Sequence, residues 1–176
     1  MTHRSVVAHG VSVLIGTPLT ERLLGIAEEA TAQAKAELAM PADERSNGEL
    51  QGCLVAILCA HAALEARMNE VGAEHDEWWA DRERLGFEQK WADLVDRHTG
   101  TRPLRGSTVR NAVKRLHKDR NLIAHFRGVP VPGHGLRVSG PPVSARGGGS
   151  EVRAYFNAER AADRLADARR AIEALG

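Results

Sequence analysis

Arg120 and His125, with Asn121 between them, are the residues of this chain whose types and spacing best suit chemistry. A histidine has an ordinary pKa of about 6.5 and so can give or take a proton near neutral pH. An arginine stays charged and presents a fork of donors, which suits negative charge developing on oxygen. Asparagine both donates and accepts, so it can orient either partner. On a helix at about 100° per residue, with Leu116 set to zero, Val109, Val113 and Ile123 fall within about 60° of it, and Arg120 falls at about 40°. Arg120 therefore stands in an apolar stripe, where a lone charge is costly to bury. It has to pair with a carboxylate, reach a polar cleft or hold a ligand. Asn121 and His125 are four apart and share a face, whereas His125 lies about 140° from Arg120 on an ideal helix. The two converge if the helix distorts at its end or if a second subunit completes the site.

The helix that carries them starts near Ser107, a suitable cap, and runs to His125 or Phe126. A helix from Glu49 to about Val71 shows the strongest pattern, with Leu50, Leu54, Ile57, His61, Leu64, Met68 and Val71 spaced by four and three. That heptad-like seam predicts a bundle helix, with His61 as a core histidine holding a hydrogen-bond partner. Glu65, at the edge of the seam, is the carboxylate expected to face Arg120, either as an ion pair or across a polar cleft, with Asn69 one turn further on. Pro18 and Pro41 bracket another helix, which Thr17 can cap with Pro18 at its first position. A further helical region spans about Asp76 to His98, interrupted near Gly86, with Phe87, Trp91, Leu94 and Val95 on its apolar face. Trp78 and Trp79 are adjacent and cannot both face one core. The last helix runs from Asn157, which can cap it, to Leu175. Between residues 128 and 150, prolines and glycines predict a loop or insertion, with room for a short hairpin pairing Leu136 and Val138 with Val152, Ala154 and Phe156. The expected fold class is all-α, an antiparallel bundle of four to five helices in a single domain over residues 1–176.

Composition narrows the function classes. The length of 176 residues fits one domain, and 43% hydrophobic with 27% charged residues is the balance of a folded soluble protein. Aromatics at only 4% with abundant alanine favour helices packed through small residues over a β-sandwich. No run of about 18 apolar residues occurs, and the apolar stretch Val6 to Ile15 is broken by His9, Gly10 and Ser12. The expectation is a cytoplasmic protein with neither a membrane span nor a signal peptide. Cys53 and Cys59, six apart on one helix, point about 120° apart and cannot bond to each other. No metal-ligand spacing such as CxxC or HExxH is present, so no metal or other cofactor is expected. Charge is unevenly spread. Residues 1–100 hold 9 Lys and Arg against 17 Asp and Glu, a charge of −8, and residues 101–176 hold 15 against 6, a charge of +9. Within residues 101–127, 8 basic residues stand against Asp119 alone. Such asymmetry suits a polyanion partner, self-association of opposite faces, or simply a solvated basic helix.

Arg120-Asn121-Leu122-Ile123-Ala124-His125 resembles the mark of the HEPN domains (higher eukaryotes and prokaryotes nucleotide-binding): an Arg, a polar residue that is often Asn, then a His at the end of a helix. The segment Ala62-Ala63-Leu64-Glu65-Ala66-Arg67-Met68-Asn69-Glu70 is similar to the small-residue-rich Leu-Glu-Ala…Asn helix of the same family. The Arg-to-His spacing also occurs at Arg4–His9, outside any good helix, and at Arg110-Asn111 to His117, in mid-helix. The resemblance implies a helical bundle that often dimerises, bringing the Arg and His of two protomers into one cleft. It implies a metal-independent endoribonuclease leaving 2′,3′-cyclic phosphate and 5′-hydroxyl ends, a toxin or defence effector whose neutralising partner is often a nucleotidyltransferase. Arg120, Asn121 and His125 would be catalytic, supported by Glu65 and Asn69, with Arg110, Lys114, Lys118 and Arg127 steering RNA through its phosphates. Other members only bind or scaffold, which leaves an inactive helical module as the alternative.

Overall fold

The computed structural model describes residues 18–75, 79, 81, 82, 84–124, 152 and 154–176. Within them the chain is all-α, built from helices α1 (Leu19–Ala39), α2 (Gly48–Gly72), α3 (Phe87–Thr99), α4 (Thr108–Ala124) and α5 (Ala158–Glu173). Helix α2 is the axis of the bundle and touches the other four helices. Ile57, His61, Leu64, Met68 and Val71 of its seam are buried, while Leu50 and Leu54 at its start are half-buried. By length and hydropathy alone α2 could cross a membrane. Its place at the centre of four packed helices accounts for the same composition.

Helix α2 buries a second face that the seam does not predict. Gly52, Cys53, Ala56, Ala60 and Ala63 are buried, as are Ala27, Ala30, Thr31 and Ala34 of α1. Small residues let the two helices approach closely. A Cβ added at Gly52 would sit 2.6 Å from the backbone oxygen of Ala30 and 3.1 Å from Ala34 Cβ. Gly52→Ala is therefore expected to destabilise by about 1–3 kcal/mol, because backbone cannot swing aside as a side chain can. Gly25→Ala on α1, with nothing within 4 Å of the new Cβ, should instead stabilise by about 0.5–1 kcal/mol. Thermal denaturation of the two variants checks this, and shifts of the same sign would contradict the packing.

The remaining elements are tied to this axis by identifiable bonds. Trp91 of α3 is fully buried and donates from Nε1 to Ala171 O of α5 at 3.0 Å. Asn157 caps α5 by accepting from Arg160 N at 2.9 Å, and Glu49 of α2 accepts from Ala158 N at 3.2 Å. Ser107 Oγ accepts from Arg110 N at 3.3 Å, as expected of a cap for α4.

Three boundaries depart from expectation. Helix α1 starts at Leu19, so Pro18 stands at the capping position; Thr17 lies outside the described residues. The described residues before Gly86 do not form a continuous helix: Ala73–His75 is a 3-10 turn, and Arg82 N to Trp79 O and Leu85 N to Arg82 O are further tight turns. Trp79 itself lies over Gly72, where a Cβ would come within 2.4 Å of its ring. Trp78 lies outside the described residues. The second arm of the expected hairpin is helical at Val152, Ala154 and Tyr155, with Phe156 N bonded to Val152 O at 2.8 Å. That local bond takes the Phe156 donor that a strand pairing would need. Leu136, Val138 and the rest of the 128–150 loop lie outside the described residues.

Candidate active site

Helix α4 places His117 and Asn121 one turn apart on one face, and their side chains meet there. Asn121 Nδ2 lies 2.9 Å from His117 Nε2. Arg120 donates from a terminal guanidinium nitrogen to Asn121 Oδ1 at 3.0 Å. On the far side, His117 Nδ1 lies 3.1 Å from Nε2 of His61, which the α2 seam carries into the core. Phe87, the first residue of α3, covers both rings, with centroids 4.3 Å from His61 and 4.8 Å from His117. A continuous chain of side chains thus runs from the buried His61 through the half-buried His117 and Asn121 to Arg120.

Both histidines are held neutral. Burial, the neighbouring His117 and the charge of Arg120 push His61 down to about 3. Burial and Arg120 also lower His117, and the carboxylate of Glu65 only partly offsets them. A histidine that protonates at about 6.5 when unfolded but resists protonation when folded contributes stability that is complete above that pH. The contribution is lost as pH falls from there toward the folded value. For His61 the slope is at most about 1.4 kcal/mol per pH unit, so the protein should be less stable at pH 5 than at pH 7 by about 2 kcal/mol. Urea midpoints at the two pH values measure this, and equal midpoints would contradict it.

Arg120 and Asn121 are thus brought together. Their proposed partner His125 lies outside the described residues, as does Arg127. Arg120 makes no ion pair with Glu65: Asn121 takes its guanidinium, while Glu65 is exposed and acts on the cluster only through its charge. Asn69 is also exposed and adds no bond to the cluster. Arg110 is not a free surface cation. It is bound by Glu88 at 2.6 Å and Pro103 O at 3.4 Å, so it ties α4 to α3. Asn111 turns to Gly106 O, so the Arg110-Asn111-His117 spacing does not form a site. Lys114 and Lys118 are exposed. At about 100° per residue they fall within about 60° of Asn121 around α4.

Two groupings went unread in the sequence. His61 and His117 were separate features there, 56 residues apart, and only the packing of α2 on α4 joins them. The second is a buried charge network between α4 and α5. Asp119, the lone acid of the basic stretch, accepts from Arg160 at 2.8 Å and from Arg164 at 2.6 Å. Asp167 accepts from Arg164 at 2.5 Å and from Arg115 at 2.7 and 3.0 Å. Its signal was Arg160, Arg164 and Asp167 recurring at helical spacing on the last helix. No protein-family model matches the chain, and neither a curated protein nor a solved structure matches it.

Proposed function

We propose that this protein is a metal-independent endoribonuclease of HEPN type. The observation that carries the reading is the Arg120–Asn121 pair, bonded side chain to side chain near the C-terminal end of a basic helix, with exposed Lys114 and Lys118 on the flank of Asn121. The site motif resembles that of HEPN ribonucleases from Arg120 through His125. RNA brings its own nucleophile. The 2′-hydroxyl gives up its proton and attacks the adjacent phosphorus, the bond to the 5′-oxygen breaks, that oxygen takes a proton and leaves as a 5′-hydroxyl, and a cyclic phosphate remains. His125 is assigned a proton transfer in this step. Arg120 is assigned the charge that builds on the non-bridging oxygens, which a bidentate fork suits. Lys114 and Lys118 would hold flanking phosphates, so binding should weaken with salt.

In this reading the partners are RNA and a second copy of the chain, with a nucleotidyltransferase as the neutralising partner if the protein acts as a toxin. One observation favours a second reading, an inactive binding or scaffold module. Asn121 is already engaged on both sides, by Arg120 and His117, as in a purely structural cluster. Incubation of a labelled RNA pool with the purified protein in EDTA separates the two. Cleavage to cyclic-phosphate ends is expected. Salt-sensitive binding to RNA without cleavage would favour the module instead.

A further inference from the structure

We propose that His117, fixed as the Nδ1–H tautomer between Asn121 and His61, is a positioning residue that sets the direction of the Arg120 guanidinium. What Arg120 does rests on the ribonuclease reading; how it is held does not.

Arg120 is the one group of the four with no choice of role. A guanidinium only donates, so its contact with Asn121 turns Oδ1 toward Arg120. The amide nitrogen then faces His117, and because it too only donates, His117 Nε2 must be the bare acceptor. A neutral His117 therefore carries its proton on Nδ1 and donates to His61 Nε2. Every hydrogen in the chain points the same way, inward from Arg120 to the core. Phe87 clamps both rings, so neither can rotate freely to offer its other edge. Among the described residues, the charged and titratable groups around His117 are His61, Arg120 and Glu65, and those around His61 are His117 and Arg120. Glu65 alone favours a cation, and it is exposed and makes no bond to either ring. A proton added to His117 would set N–H against the Asn121 amide, and one added to His61 would set N–H against N–H. The chain exists only with both rings neutral. Asn121 then works by locking the guanidinium beside it, and the buried pair supplies the rigidity.

Imidazole nitrogen NMR on the full chain tests the tautomer, and cleavage kinetics test the role. Expected at pH 7 are His117 and His61 spectra with protonated Nδ1 and bare Nε2, with the His61 ring still neutral at pH 5.5. Asn121→Ala should release His117 toward the Nε2–H form. His117→Phe keeps a ring against Phe87 while removing both nitrogens. It should stay folded at the assay temperature and lose kcat by up to about 100-fold, with KM nearly unchanged. His117 found as Nε2–H or protonated at pH 7, or an unaltered kcat in His117→Phe, would overturn the proposal. If His117→Phe does not fold, Asn121→Ala carries the test, and an unmoved His117 tautomer overturns it. A wild-type protein that shows the Nδ1–H form but never cuts RNA would overturn the ribonuclease reading, and with it the task given to Arg120. A wild type and His117→Phe that cut equally well would overturn the positioning role alone.

Discussion

Asp119→Ala is expected to destabilise the protein by about 3–5 kcal/mol, the cost of breaking a buried ion pair from one side. Asp119 is 1% exposed and takes bonds from Arg160, Arg164 and the Tyr155 hydroxyl at 3.2 Å. Burial alone would raise its pKa, yet hydrogen bonds from Arg160 and Arg164 outweigh that and hold the carboxyl below the usual range. The anion is therefore what the fold selects. Removing it leaves Arg164, itself buried, with Asp167 as its remaining partner in the network. At roughly 2–4 °C per kcal/mol for a chain of this size, the melting midpoint should fall by about 10 °C. A midpoint within about 2 °C of wild type would contradict this. Replacing the whole cluster with apolar residues of similar volume should cost far less than removing one partner, because no charge is left stranded. The linkage has a definite sign. A carboxyl held below its unfolded pKa contributes stability above that pKa and loses it as pH falls through the folded value. Asp119 thus adds to the acid sensitivity of the histidine pair, in a lower pH window.

Arg120→Ala is expected to lower kcat for RNA cleavage by about 100- to 1,000-fold, the usual effect of removing one preorganised donor to a developing oxyanion. Folding should be little affected, since Arg120 is half-buried and donates to a side chain on its own helix. Arg120→Lys should recover only part of the loss. A lysine keeps the charge but presents no fork, so it cannot meet Asn121 and a phosphate in the same geometry. Cleavage measured with substrate in excess, alongside melting midpoints, separates the two effects. Arg120→Lys at full activity would show that charge alone suffices, and the fork would then have no role.

How much of this was legible in the sequence depended on range. The seam from Ile57 to Val71 follows from spacing along one helix, and the structure buries it. The caps at Ser107 and Asn157 were equally local. Arg120 stood out as polar in an apolar stripe, and it does lie at the outer end of a polar chain that leads to the core. Its partner did not follow, because a helical wheel gives the face of α4 but not its rotation against α2. Glu65 therefore looked suitable and is exposed, while the guanidinium turns to Asn121 on its own helix, which His117 holds from the other side. Asp119 read as a single acid diluting a basic stretch. Its meaning lies in Arg160 and Arg164, some 40 residues downstream, which only the packing of α5 on α4 supplies. The alanine and glycine face of α2 was hidden for another reason: small residues carry little hydrophobic signal, yet they set how closely α1 can approach.

The most direct measurement follows labelled RNA in EDTA with equal amounts of folded wild type and His125→Ala. Wild type should cut the RNA and leave 2′,3′-cyclic phosphate and 5′-hydroxyl ends, and the variant should be slower by about 100-fold or more. Intact RNA after prolonged incubation with the wild type, or equal cleavage by both proteins, would contradict a ribonuclease centred on Arg120 and His125.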